Sequence, residues 1–140
     1  MKRYFDQLAD FLFEKLNKDE MFTCSFSAES SDFVRFNKSK IRQAGNVEQS
    51  YMYFDLIRDQ KHAPCRMGLC GNFQTDADLV LKELSTLRKT LAVVPKDPHL
   101  LYATELCSTS TISDNKLPPA KELVHDVLNE VSNEDFVAIL

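Results

Sequence analysis

The sequence predicts an α+β domain: a mostly antiparallel sheet of four to five strands with helices packed on one face. Three observations carry that expectation. Across 4–16, apolar residues recur at three- and four-residue spacing. From Phe22 onward the period switches to two, and from Val80 to Leu91 the helical period returns.

The first helix is expected over 4–16. Phe5, Leu8, Leu12 and Leu16 form its apolar stripe, Ala9 and Phe13 widen it, and Asn17 suits a helix end. Residues 21–29 read as a half-buried strand, because Phe22, Cys24, Phe26 and Ala28 alternate with Thr23, Ser25, Ser27 and Glu29. Cys24 is then a small buried hydrophobe. A second strand is expected at 33–36, a turn at 37–40 and a returning arm at 41–44. Gly45 and Asn46 predict a further turn or a bulge. A longer strand over 47–57 leads to a turn at 58–61 and a last strand at 66–70, shortened by Gly68 and Gly71.

The second helix is expected to begin near Thr75 as cap, with Asp78 at the capping-box position and Asp76 favouring the positive helix end. Val80, Leu84, Leu87 and Leu91 make its buried stripe, and Pro95 and Pro98 end it. Residues 99–117 read as a long surface connection. Pro118 and Pro119 open a third helix whose apolar face is Leu123, Val124, Val127, Leu128 and Val131. The segment 136–140 reads as a strand just begun.

A length of 140 residues predicts one domain, and 44% apolar with 27% charged residues is the balance of a soluble globular chain. The net charge of -4 argues against a nucleic-acid surface. The aromatic set Phe33, Phe36, Tyr51, Tyr53 and Phe54 is therefore read as core and not as a base-stacking platform. No apolar run approaches the roughly 20 residues of a membrane span, and no signal-peptide core is present. Four cysteines without a secretory signal read as reduced thiols, which places the chain in the cytoplasm.

Little in the sequence announces chemistry. Gly45, Gly68 and Gly71 are the only glycines, and no phosphate-binding loop can be written from them. Glu134 and Asp135 read as an element edge. His62, Cys65 and Cys70 are zinc-binding types, but their spacing is irregular and no fourth ligand accompanies them. A small zinc-binding domain is kept as an alternative; the preferred reading is a loop histidine followed by strand cysteines. Cys107 lies in a polar stretch with His99 and His125 near in sequence, and nothing fixes a nucleophile beside a base. No catalytic and no metal-binding residue is assigned. The basic turn of Lys38, Lys40 and Arg42, with Arg35 nearby, supplies the candidate substrate or interface contacts; the competing reading is a solvated hairpin tip.

The order of helix, strand, Arg35-to-Ile41 hairpin, long strand, Gly-ended strand, Leu-rich helix and Val94-Pro-Lys-Asp-Pro-His99 resembles the first domain of the TldD/PmbA family, also called modulators of DNA gyrase. The resemblance runs over nearly the whole chain. It implies the N-terminal part of a longer two-domain protein, a zinc-dependent peptidase assembled as a homo- or hetero-dimer of related subunits. In that family the metal is held by an HExxxH helix and a later cysteine, and this chain contains neither. The implied role of the chain is thus to line the path of a peptide or protein substrate and to help pair subunits, with zinc in the C-terminal domain of the parent. A free-standing adaptor or chaperone-like binding module is the alternative from another class.

Overall fold

The protein is described by a computed structural model covering residues 2–132 and 134–140. The order of elements is α1 (Lys2–Glu14), β1 (Met21–Asn37), β2 (Lys40–Arg58), β3 (Lys61–Leu69), α2 (Phe73–Val93), α3 (Ala120–Glu130) and β4 (Val137–Ile139). The four strands form one sheet in the order β3-β2-β1-β4, an α+β architecture as the periodicities predict.

Two tight turns set the meander. Lys38 and Ser39 have φ of 51° and 54°, and Asp59 and Gln60 have 54° and 58°. Two successive left-handed residues make the two-residue turn whose twist matches the flanking strands.

The strands are longer than the sequence suggests. The expected strands at 21–29 and 33–36 are one strand, and no turn occurs at Gly45 and Asn46. Cross-strand contacts explain the continuity. A side chain at Gly45 would come within 2.8 Å of the Phe33 ring, which lies over the bare backbone there. Asn46 does not fold back on its own chain; its amide donates across the strands to Asp32 Oδ1 at 3.0 Å. The last strand of the meander starts at Lys61, five residues early, and it tolerates Pro64 because β3 is an edge. Cys70 falls outside it and is exposed.

Helix α2 is capped by Asn72, not by Thr75. The Asn72 side chain accepts from the Thr75 N–H at 3.1 Å, satisfying one of the first unpaired donors. Asp76, buried in the first turn, accepts from the N–H groups of Cys70 and Gly71, each at 3.0 Å, and from the Tyr4 hydroxyl.

The chain divides into two compact units, Met1–Glu29 with Gln49–Glu105, and Ser30–Glu48 with Leu106–Leu140. In the first, alternation along β2 and β3 sends Met52, Phe54, Leu56, Ala63 and Met67 to one face. There they meet Leu8 and Leu12 of α1 and Val80, Leu84, Leu87 and Leu91 of α2, all buried. Phe22, Cys24 and Cys65 pack at the margin of this core.

The second unit has a smaller core. Phe36 is buried and meets the Phe136 ring at 5.8 Å. Antiparallel pairing sets Arg35, Phe36 and Asn37 against Ile139, Ala138 and Val137. The predicted face of α3 is half-buried: Leu123, Val124, Val127 and Leu128 turn inward, but none is fully covered.

Candidate functional site

The basic turn is built as expected at its tip and differently at its root. Left-handed backbone at Lys38 and Ser39 reverses the chain, and three polar contacts secure Ser39 to the segment before β4. Its N–H donates to the Phe136 carbonyl at 3.2 Å, its hydroxyl donates to the Glu134 carbonyl, and the same oxygen accepts from the Phe136 N–H at 3.4 Å. Lys38, Lys40 and Arg42 then surround one cleft of about 370 Å³ with Asn37 and Ile41. None of the three cations has an ion-pair partner among the described residues.

Arg35 is not part of this cluster. Its guanidinium donates to Gln43 Oε1 at 3.3 Å and lies 5.9 Å from the centre of the Phe33 ring. Arg35 does not line the cleft that the other three share. Of the four candidates, the fold gathers three.

The three zinc-type residues of this stretch are not brought together. On β3, Cys65 faces the helices with Ala63 and Met67, while His62 faces the other side. His62 is also committed elsewhere: its Nδ1 lies 2.8 Å from Asp55 Oδ2 and its Nε2 lies 3.8 Å from Asp97 Oδ2. Among the described residues no group of three His, Cys, Asp or Glu is placed to hold a metal ion.

Cys24 and Cys65 are both part-buried. Burial pushes both thiols up to about 11, so neither forms thiolate at neutral pH. Cys107 is exposed, and His125, its nearest histidine within that unit's sequence, lies with Nδ1 2.9 Å from the Asn129 amide nitrogen.

Sequence reasoning passes over the most ordered polar cluster. Glu20 has a fully buried carboxylate, the only charged side chain of that kind besides Asp76 among the described residues. Arg88 of α2 donates to it at 2.7, 2.9 and 3.3 Å, and Asn17 adds its N–H at 2.9 Å and its amide at 3.1 Å. The Arg88 hydrogen bonds, joined by those of Asn17, outweigh the cost of burial and hold the acid at about 2. Arg58, at the end of β2, stands further off, at 3.6 Å from Glu20 and 3.9 Å from Asp19. Beside it opens a cleft of about 490 Å³, lined among others by Lys18, Met21, Ile57, Leu100 and Tyr102. The segment after α2 reaches this place because the Asp97 N–H donates to the Gln60 carbonyl at 2.7 Å and Leu100 turns back onto Asp97. Residues 20, 58, 88 and 100 share no spacing, so no one-dimensional signal points to the cluster.

Comparison of the chain with family models, curated proteins and solved structures returns no match. Among the described residues, no helix is long and apolar enough to cross a membrane.

Proposed function

We propose that this chain serves as a non-catalytic domain of a TldD/PmbA-type metallopeptidase in the cytoplasm. In this reading the Lys38, Lys40 and Arg42 cleft borders the path of an incoming peptide, and the domain helps pair subunits. The observation that carries it is charge segregation. Arg35 to Arg42 holds four cations and no acid in a chain of net charge -4, and three of those cations share one cleft with no ion-pair partner among the described residues.

Exposed cations on a tight turn attract acidic segments and orient their approach. They supply no nucleophile and no general base, so bond cleavage falls to residues elsewhere in the parent, where the zinc also resides. The test is the variant Lys38→Ala, Lys40→Ala, Arg42→Ala in the parent protein. Cleavage of acidic peptides should fall about threefold to tenfold, as three solvent-exposed pairs of a few tenths of a kcal/mol each would give. Neutral peptides should be affected less, and the salt dependence of cleavage should flatten. Unchanged cleavage together with an unchanged assembly mass would refute the reading, as would a parent reading frame without an HExxxH segment.

A further inference from the structure

We infer that the cleft beside Arg58 is a binding site for the carboxyl terminus of a peptide whose last residue is apolar. The inference does not rest on the peptidase reading and uses no residue of the basic hairpin tip.

It starts from a guanidinium held only by two long ion pairs. Arginine carries five N–H donors in a planar fork. In Arg58 none of them makes a hydrogen bond among the described residues; its nearest oxygens, at 3.6 and 3.9 Å, are beyond that range. Glu20 does not need Arg58, because Arg88 and Asn17 already occupy both carboxylate oxygens. The Arg58 side chain is 27% exposed, shielded enough to strengthen a charged hydrogen bond and open enough to be reached.

The surroundings narrow the ligand. Ile57 is only 4% exposed, and with Leu100 and Tyr102 it gives an apolar bed next to the guanidinium. A planar carboxylate matches the planar fork through two parallel bonds, and its neighbouring side chain fits the bed. A phosphate dianion fits less well. Lys18 and Arg58 line the cleft against Asp19 and Asp59, and Glu20 is already matched by Arg88, so the lining carries little net charge and accepts one added negative charge better than two. The same acids accept the N–H groups that precede a peptide carboxylate, which a fatty acid lacks.

The experiment is isothermal titration of the whole chain with three probes: N-acetyl-Ala-Ala-Leu as free acid, the same peptide as C-terminal amide, and inorganic phosphate. The free acid should bind with a Kd below about 1 mM, the amide at least about tenfold more weakly, and phosphate not measurably. Arg58→Gln should reduce the free acid to the level of the amide, while Tyr102→Ala should weaken both peptides alike. Equal binding of acid and amide by the unaltered chain overturns the proposal, whatever the variants do. Phosphate binding as tight as the free acid overturns it in favour of a general anion site, and absence of binding at about 10 mM peptide overturns it outright. The triple alanine variant of the hairpin tip should bind the free acid normally, so failure here and failure of the peptidase reading are separable.

Discussion

Replacing Glu20 by Gln tests the electrostatic account of the fold where it is most quantitative. The carboxylate is fully buried, and the Arg88 hydrogen bonds, joined by those of Asn17, lower its pKa from 4.5 to about 2. Because the folded value is depressed, the charged form stabilises the fold above the unfolded value and the contribution is lost as pH falls towards the folded one. A shift of this size corresponds to about 3 kcal/mol at pH 7, and by the same linkage it drops to roughly 1 kcal/mol at pH 3. Glu20→Gln should therefore cost about 3 kcal/mol at pH 7, in line with breaking a buried pair while leaving Arg88 without its anion. At pH 3 the two proteins should differ by far less. Urea unfolding followed by far-UV circular dichroism, at pH 7, 5, 4 and 3, measures the difference. A cost that stays constant across that range would refute the reasoning, since it would mean that shape and not charge holds Glu20 in place.

Three further outcomes follow from the same structure. Tyr4→Phe removes one of three donors to the buried Asp76 carboxylate and should cost about 1–3 kcal/mol in urea unfolding; a change below about 0.3 kcal/mol would show that the hydroxyl contact is immaterial. Gln60→Gly relieves a left-handed residue at an exposed turn and should stabilise by about 0.5–1 kcal/mol, read as a higher melting temperature; a loss of stability would contradict the turn assignment. With a thiol reagent at pH 8, the exposed Cys70 and Cys107 should react quickly and the part-buried Cys24 and Cys65 at least about tenfold more slowly; four equivalent rates would contradict their raised thiol pKa.

Periodicity made much of the fold legible. Leu8 and Leu12, and Val80, Leu84, Leu87 and Leu91, are the residues a helical stripe predicts, and they are buried. The alternation of Phe22, Cys24 and Phe26 is real as well, with each residue half-buried on one face. What failed was punctuation. Gly45 and Asn46 have turn chemistry, but Phe33 and Asp32 across the ladder decide their conformation, and a cross-strand partner leaves no local trace. The helix cap moved from Thr75 to Asn72 because both residues can cap and only the packing of Asp76 fixes the register. The basic tip was visible as a cluster of charge, yet the sequence could not say that Arg35 turns toward Gln43. Glu20, Arg58 and Arg88 were invisible as a set because tertiary folding alone brings them together.

The polar ties of the first unit also order events in time. Tyr4 bonds Asp76 across 72 positions, and Glu20 bonds Arg88 across 68. Leu8 and Leu12 of α1 find their partners on strands and a helix that are synthesised later. At roughly 5–20 residues per second, α1 leaves the ribosome about 4–16 s before α2 is complete. During that interval the strands appear, but the part of its apolar stripe that packs on α2 stays uncovered. The first helix made must wait for the second before its stripe is covered, which makes it the segment on which a nascent-chain chaperone would act.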